Sequence, residues 1–433
     1  MANPQESLVD IVRQDKFLTL KDHEILDLCK KAFAAELDHL KNASPTVESG
    51  ATEKLHSTPS QRVFGEDFHE VNRTLTSMLA IKWILNDEYE MFTSGQNKTT
   101  KLSEYSFWSL QELFRDGLTS PDDLYALIVA LVIDDIGKDK ALAVEVGMRD
   151  KNHGEVLLKA AEMRRVPALE TIPDPASREH VIQSLRIGSK LDISQIVQAE
   201  TVPYSLKVLD HSQGLQAAFY IKAMVTMLDV GGAAAHRDPR GCVVMTQSVF
   251  GRYIYVIRKL DMYRLMENPD WLQCYDRYLD SRAYLQEGWC RSLPTKASEK
   301  RALLRLFGMG RVETEAIADQ FVKAFKNLSI PTRRRLVDGL SVNGIQDGTA
   351  IVPYYAPGLL SEVLRDAPEE KLVHRLQSFM WFLAEIYNGS KPQPGEPGAL
   401  EERDLSYMQA LIKSPEFQED PTILPTAERD KQA

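Results

Sequence analysis

Residues 124–139 read LYALIVALVIDDIGKD, so ten apolar residues lead directly into Asp134 and Asp135, with Gly137 two positions later. The residues just before this run, 119–123, read TSPDD and are typical of a capped helix start with proline in the first turn. The stretch therefore predicts a buried helix that carries two carboxylates into a protected space. Adjacent carboxylates are strongly destabilising there unless a cation meets them, and a divalent metal is the simplest such cation.

The rest of the chain shows the same preference for helix. Apolar residues recur with the helical period, as in Leu75, Met78 and Leu79 or along residues 219–228. The alternating pattern of a half-buried strand is almost absent. We therefore predict an all-α fold.

The predicted organisation is a central helical domain with additional helices at both ends. Residues 1–40 form an N-terminal helical arm, and residues 41–62, rich in serine and proline, form a linker. Residues 65–290 form the catalytic helical domain, and residues 295–390 form a C-terminal helical subdomain. Six prolines among charged residues predict a loosely ordered tail over residues 391–433.

The composition excludes several classes of protein. The 433 residues contain 52 Lys and Arg against 62 Asp and Glu, a net charge of −10. This balance argues against nucleic acid or an anionic membrane surface as the main partner. No run approaches about 18 apolar residues, so we expect no membrane span. The cysteines lack CxxC spacing and are expected to be reduced thiols, which predicts a cytoplasmic protein. The sequence leaves open whether the chain forms a homo-oligomer.

Three further segments carry side chains that suit a metal or phosphate site. His69 opens an amphipathic helix, and Asp229 directly follows an apolar helical run, so each is a candidate metal ligand. His153 is a candidate imidazole ligand or phosphate contact. A structural alternative exists for each group: both histidines could be surface residues at helix starts, and the pair Asp134 and Asp135 could be a solvated helix end.

The order of these candidates along the chain resembles the HD-domain superfamily of metal-dependent phosphohydrolases. The central motif of that family has the form Leu-His-Asp-Ile-Gly-Lys, and residues 133–138 read IDDIGK. The resemblance spans roughly residues 65–235. It implies an HD-like helical core with four metal ligands, His69, Asp134, Asp135 and Asp229.

The sequence departs from the HD motif at its histidine, which is Asp134 here. An oxygen-rich site favours Mg²⁺ over the metals that histidine-rich sites prefer. Because Mg²⁺ activates bound water less than zinc does and is the usual partner of diphosphates, the change shifts the prediction from hydrolysis towards diphosphate chemistry.

Residues 134–139, DDIGKD, also fit the DDxxxD form of the aspartate-rich motif of class I terpene synthases. The companion motif of that class, which ends in glutamate, does not follow in this sequence. The pattern over residues 229–241 and 244–250 instead resembles the atypical fungal cyclases typified by the humulene synthases of tropolone sesquiterpenoid pathways. Those enzymes lack the usual motifs, and they ionise farnesyl diphosphate with Mg²⁺ and a basic residue.

Basic side chains near the carboxylates suit the departure of a diphosphate. We predict Lys138, His236 and Arg240 as catalytic residues that assist this step. His153 and Arg237 are predicted to contact the substrate. The alternative for the residues that follow Asp229 is a short polar loop at the surface.

An aromatic series from Phe250 to Trp289 follows these basic residues. Phe250 and Tyr253 are predicted to face the substrate, because aromatic ring faces can stabilise a carbocation and exclude water. The alternative for the series is plain core packing.

Together these features predict a Mg²⁺-dependent terpene cyclase that acts in secondary metabolism. It would ionise a prenyl diphosphate such as farnesyl diphosphate and cyclise the resulting carbocation. One alternative is an HD-type phosphohydrolase that uses the same ligands to activate water. The other is a non-catalytic helical scaffold that binds a protein partner.

Overall fold

The computed structural model describes residues 7–44, 56–149, 151–210, 215–284, 293–388 and 391–432. Within these ranges the fold is all-α, as predicted, with one small two-stranded sheet. The helices of the first part are α1 (Leu8–Arg13), α2 (Asp22–Ala32), α3 (Ala34–Ala43), α4 (Pro59–Phe64), α5 (His69–Leu85), α6 (Tyr89–Thr93), α7 (Glu104–Gly117), α8 (Pro121–Ile133), α9 (Lys140–Glu145), α10 (His153–Glu162), α11 (Pro167–Glu170) and α12 (Pro175–Gly188).

The second part continues with helices and the two strands. Its helices are α13 (Ile193–Val197), α14 (Gln216–Gly232), α15 (Gln247–Arg264), α16 (Trp271–Tyr284), α17 (Ala297–Met309), α18 (Glu315–Asn327), α19 (Ile330–Ser341), α20 (Ala356–Leu364), α21 (Glu369–Ile386), α22 (Gln409–Lys413), α23 (Pro415–Glu419) and α24 (Ile423–Gln432). The strands β1 (Thr349–Tyr354) and β2 (Ala399–Asp404) pair in parallel, with Thr349 opposite Ala399.

The helices fall into two compact units. Unit 1 comprises Met1–Ile193 and His211–Asp261, and unit 2 comprises Ser194–Asp210 and Met262–Ala433. All the candidate site residues lie in unit 1. Residues 262–284, which the sequence assigned to the same domain as those candidates, lie in unit 2.

The C-terminal segment is more regular than its prolines indicated. Residues 391–432 contain β2 and three helices, and Leu405, Phe417 and Leu424 are buried there. Pro415 lies in the first turn of α23. Backbone N–H groups in a first turn have no acceptor within the helix, so the missing N–H of proline costs no hydrogen bond there. Because proline is common at the start of a helix, its presence in this segment is weak evidence for a loosely ordered tail.

Helix α8 is the apolar helix that the sequence predicts. The N–H of Asp123 donates to the hydroxyl of Ser120 at 3.2 Å, and Pro121 occupies the first turn. All the residues from Tyr125 to Ile133 are buried, and α8 packs against α1, α5, α12 and α14. Across the described ranges none of the helices, α8 included, has the length and apolar character needed to cross a membrane.

The packing of α5 against α14 depends on a glycine. A Cβ atom at Gly232 would lie 2.4 Å from the carbonyl oxygen of Arg73 and 2.4 Å from Oγ of Ser77. Ser77 Oγ also donates to the carbonyl oxygen of Leu228 at 2.7 Å. This close approach sets Arg73 opposite the last turns of α14.

A second glycine brings the end of α8 against α10. The 3-10 turn Ile136–Lys138 follows α8, and a Cβ atom at Gly137 would lie 2.0 Å from the carbonyl oxygen of His153. Only glycine permits this contact without a shift of the backbone. The side chains of Lys138 and His153 therefore enter the same region of unit 1.

Unit 2 is built around α17 and α21. Helix α17 packs against α16, α18 and α19, and α21 packs against α18, α19, α20 and α24. All the residues from Ala302 to Met309 on α17 are buried, among them Arg305. A helix that is buried on every side places any polar side chain it carries inside the core.

Candidate functional site

The end of α8 directs its two adjacent carboxylates to different cations. Asp134 is the residue that caps the helix, and Nζ of Lys222 on α14 donates to its Oδ1 at 3.1 Å. Asp135 is 7% exposed, and its Oδ2 lies 2.9 Å from Nζ of Lys138. Each carboxylate is therefore paired, the buried Asp135 as well as the partly exposed Asp134, and the cost of an isolated buried charge requires this for Asp135.

A guanidinium stands among carboxylates from three segments. Arg73 lies one turn after the start of α5, and its Nη2 pairs with Oδ2 of Asp229 on α14. Its Nη1 lies 3.9 Å from Oδ2 of Asp135 and 3.9 Å from Oε2 of Glu70. Arg73 therefore supplies positive charge to the point where these carboxylates meet.

Lys138 joins the same carboxylates from the other side. Its Nζ donates to Oε2 of Glu70 at 3.0 Å while it pairs with Asp135. Two carboxylates thus share one ammonium group. We refer to the seven paired side chains as the charged cluster: Glu70, Arg73, Asp134, Asp135, Lys138, Lys222 and Asp229.

Three imidazoles belong to the surroundings of the charged cluster. The ring of His69 stacks on the ring of His236, with 3.8 Å between the ring centroids and an angle of 38°. Nδ1 of His69 also lies 3.2 Å from Oε1 of Glu70. His153 begins α10, and the close approach of its backbone to Gly137 places it near Asp135.

Burial and charge together shift the pKa values of the site. Burial disfavours the ionised form of Asp135, but the positive charges of Lys138 and Arg73 outweigh it and hold the pKa of Asp135 well below its usual range. Burial raises the pKa of Asp229 to about 6, although Arg73 opposes the shift. Burial, followed by the charge of Lys138, lowers the pKa of His153. At neutral pH an ionised carboxylate therefore lies near a neutral imidazole.

The structure brings most of the predicted site residues together. Seven of them lie in the charged cluster or beside it: His69, Asp134, Asp135, Lys138, His153, Asp229 and His236.

The two predicted arginines lie elsewhere. Arg237 and Arg240 are exposed, and the guanidinium of Arg240 pairs with Asp238 at 2.6 Å rather than with the charged cluster. The carboxylate two residues away satisfies Arg240 in solvent, as in the surface-loop alternative. Phe250 and Tyr253 are both buried on α15, whereas Trp289, at the end of the predicted aromatic series, lies outside the described residues.

Three members of the charged cluster were not among the predicted residues. Glu70 and Arg73 are three residues apart on α5, and Lys222 precedes Asp229 by seven residues on α14. These spacings place each pair on one helix face. A charged residue embedded in an apolar helical run needs a partner, and this signal could have identified Lys222, whereas Glu70 and Arg73 lie in a polar stretch and carry no such signal.

The charge that the sequence analysis expected from a metal is carried here by side chains. Among the described residues, no group of three or more His, Cys, Asp or Glu side chains is arranged to hold a metal ion. Arg73, Lys138 and Lys222 stand instead against the carboxylates. The donor set itself consists of carboxylate oxygens, which suit Mg²⁺ better than zinc.

Comparison with known proteins identifies one match. Residues 26–424 match a family described as a family of unknown function, DUF6829. No curated protein and no solved structure matches the chain. The matched segment contains every member of the charged cluster.

Proposed function

The chain belongs to the DUF6829 family of unknown function, and from its charged cluster we propose that it is a Mg²⁺-dependent terpene cyclase. The substrate class is a prenyl diphosphate such as farnesyl diphosphate. The reaction is a carbon–oxygen lyase step that releases diphosphate, followed by cyclisation of the carbocation and loss of a proton.

One observation carries the proposal: three cations and four carboxylates converge at the buried end of an apolar helix. Clusters of ionisable groups with shifted pKa values are typical of functional sites. The shifts at Asp135, His153 and Asp229 all arise within this one region. Fixed charged groups in a mostly apolar surrounding can stabilise the charges that form when a diphosphate anion leaves a hydrocarbon chain.

The donor atoms present are of the type that Mg²⁺ prefers, although the described side chains are not arranged around a common metal position. Asp134, Asp135 and Asp229 would hold the ion through carboxylate oxygens, with His69 beside them. These oxygens are paired with basic side chains, and a diphosphate presents the same kind of oxyanion to those side chains. When bound, Mg²⁺ would neutralise charge on the leaving diphosphate.

The basic members of the charged cluster would bind the diphosphate. Lys138 and Arg73 can each donate charge-assisted hydrogen bonds to its oxygens after they leave their carboxylate partners. Partial burial of both side chains strengthens such bonds, because less water competes for the donors than at the surface. The stacked imidazoles of His69 and His236 border the same place. Phe250 and Tyr253 are proposed to shield the carbocation from water.

The proposed location is the cytoplasm. Three of the four cysteines, Cys29, Cys242 and Cys274, are buried free thiols, and the fourth, Cys290, lies outside the described residues. Burial raises the pKa of Cys29 to about 12, so this thiol is protonated and unreactive. Buried reduced thiols are typical of proteins from a reducing compartment.

One observation favours a phosphohydrolase as a second candidate. His153 has a lowered pKa and lies near Asp135, so its neutral imidazole could accept a proton from water at neutral pH. The same cations would then hold a nucleotide phosphate or another phosphate ester. A scaffold without catalysis is the third candidate, since each carboxylate of the charged cluster already pairs with one of its cations.

Product analysis tests the proposal. The purified full-length chain is incubated with farnesyl diphosphate and Mg²⁺, and the hydrocarbon extract is examined by gas chromatography while released diphosphate is measured. We expect a cyclic hydrocarbon and an equal amount of diphosphate. Release of inorganic phosphate from nucleotides without a hydrocarbon product would favour the hydrolase instead. No turnover across prenyl diphosphates and nucleotides, together with no Mg²⁺ binding by calorimetry, would leave the scaffold.

Two aspartates at opposite ends of α8 provide a matched pair of variants. Asp135→Asn removes a charge from the cluster and is expected to lower kcat by about 100-fold or more. Asp122→Asn changes the same residue type at the other end of α8, where Asp122 pairs with Arg13 in solvent, and should keep full activity. Full activity of Asp135→Asn would refute both enzymatic candidates in this form.

A further inference from the structure

Unit 2 contains a second concentration of buried polar groups, centred on two arginines one turn apart on α17. Arg305 is 0% exposed. It donates at 2.6–3.2 Å to four backbone carbonyl oxygens, those of Ala199, Glu200, Thr201 and Leu340. Carbonyl dipoles therefore meet its positive charge directly.

The guanidinium of Arg301, the second arginine, has fewer hydrogen-bond partners than that of Arg305. Its Nε lies 3.3 Å from Oδ1 of Asp276, without the geometry of a hydrogen bond. Its guanidinium also lies over the ring of Tyr275, with 5.5 Å from the central carbon to the ring centroid. The side chain is 13% exposed, so this arginine connects the buried groups with solvent.

Four buried polar atoms on α17, around the C-terminal end of α19 and directly after α21 have no hydrogen-bond partner among the residues that the structure describes. They are Nη2 of Arg301, Oγ of Ser341, Oδ1 of Asn343 and the hydroxyl oxygen of Tyr387. Tyr387 is 0% exposed, and burial raises the pKa of its hydroxyl to about 12. Nearly all buried polar atoms in folded proteins have a partner, so four exceptions on segments that pack together require an explanation.

The packing of α17 and α21 against α19 brings together the segments that carry these atoms. The carbonyl oxygen of Leu340, which accepts from Arg305 at 2.9 Å, directly precedes Ser341. The ring of Tyr387 fills the space beside Gly339, where a Cβ atom would lie 2.1 Å from the ring. The C-terminal turn of α19 therefore lies between α17 and Tyr387, the residue that follows α21.

The unpartnered atoms define the chemistry of an occupant. Arg301 and Tyr387 offer donors, whereas Oδ1 of Asn343 and Oδ1 of Asp276 are acceptors. An occupant must therefore accept several hydrogen bonds and also donate one or two. A phosphate group does both at neutral pH, because it is anionic and still carries a proton for part of the time. Sulfate is fully ionised and can only accept.

We propose that Arg301, Ser341, Asn343 and Tyr387, with Asp276, form a second site that binds a phosphate group. The positive charges of Arg301 and Arg305 attract the anion, and Asp276 and Asn343 select the protonated oxyanion. The site lies within unit 2, and the proposal is independent of the reaction assigned to the charged cluster.

Calorimetric titration of the full-length chain with inorganic phosphate at neutral pH tests the site. Sulfate at equal ionic strength and glycerol phosphate are titrated separately. We expect phosphate to bind, and sulfate to bind at least about tenfold more weakly because it leaves two acceptors unpaired. Stronger binding of glycerol phosphate would identify a phosphate ester as the ligand, and stronger binding of inorganic phosphate the free ion. No binding of either, or equal binding of sulfate, would overturn the proposal.

Two variants test whether Arg301 and Tyr387 bind phosphate or only stabilise the fold. Arg301→Gln and Tyr387→Phe should each weaken phosphate binding by about tenfold or more. In buffer without phosphate, Tyr387→Phe should keep or raise the unfolding temperature, because it removes a hydroxyl that has no partner.

A neighbouring tyrosine supplies the control. The hydroxyl of Tyr278 donates to the carbonyl oxygen of Val197 at 3.2 Å. Tyr278→Phe should lower the unfolding temperature by about 2 °C or more and leave phosphate binding unchanged. A similar loss for Tyr387→Phe in phosphate-free buffer would show that trapped water already satisfies this hydroxyl, and it would overturn the proposal. Unchanged phosphate affinity of Tyr387→Phe would do the same.

Discussion

Replacement of Arg73 by methionine removes the guanidinium at the centre of the charged cluster while it keeps most of the side-chain volume. Lys138 stays within 3.0 Å of Glu70 and Asp135, so these two carboxylates retain a cation. Asp229 loses the guanidinium with which it pairs. A buried charge left without its partner costs about 3–5 kcal/mol, so we expect a loss near the lower end, about 3 kcal/mol, at pH 8.

The pH dependence of this loss follows from Asp229. Its pKa in the folded protein is raised to about 6, above the value of 3.8 for an unburied aspartate, and Arg73 is the group that limits the rise. A carboxyl group with a raised pKa contributes stability at low pH and loses it as the pH rises through the folded value. Without Arg73 that pKa rises further, and protonation removes the unpaired charge. The effect of Arg73→Met should therefore be much smaller at pH 5 than at pH 8.

Urea denaturation and thermal unfolding, followed by circular dichroism at both pH values, measure these changes. A loss of about 3 kcal/mol corresponds to a fall of about 6–12 °C in Tm for a unit of this size. The double variant Arg73→Met with Asp229→Asn should recover to within about 1 kcal/mol of the wild type, since neither charge remains. Arg13→Met, at the exposed pair with Asp122, should cost less than about 1 kcal/mol. The reasoning fails if Arg73→Met costs no more than Arg13→Met, or if its cost is equal at both pH values.

Three further changes test the surroundings of the site. Lys222→Met leaves Asp134 without its ammonium partner and should lower the free energy of unfolding by about 1–3 kcal/mol in urea titrations. Gly232→Ala would place Cβ 2.4 Å from a backbone oxygen of α5, so we expect a loss of about 1–3 kcal/mol in the same assay and no gain at any pH. Nδ1 of His39 lies 2.7 Å from Oδ2 of Asp139. Burial raises the pKa of Asp139, but this hydrogen bond and others outweigh burial and lower that pKa. Stability from this group is present above about pH 4 and is lost at lower pH, so thermal unfolding of His39→Ala and of the wild type should converge as the pH falls.

The helical character of the chain was predictable because it depends on short-range pattern. The apolar run that becomes α8 carries its own start signal at Ser120 and Pro121, and nine consecutive residues of it are buried. The all-α fold follows from the same periodicity along the whole chain. The order of the C-terminal segment was less predictable, because a proline in a first turn and a proline in a loop look alike in sequence.

The carboxylates of the candidate site were predictable as residue types, and their partners were not. Asp134, Asp135 and Asp229 follow apolar runs, which indicates buried carboxylates that need a cation. The sequence favoured a metal for that role. The pairing of Asp229 with Arg73 joins residues 156 positions apart, and no local pattern encodes such a contact.

From sequence alone, this protein is determined to be helical and to bury acidic side chains at the end of its most apolar helix. Only the tertiary structure decided that Arg73, Lys138 and Lys222 meet those side chains, and that Arg240 does not. The physical reason is that helix formation depends on neighbours within one or two turns, whereas charge pairing depends on which helices can approach closely. Here that approach is set by contacts such as Gly232 against the backbone of α5.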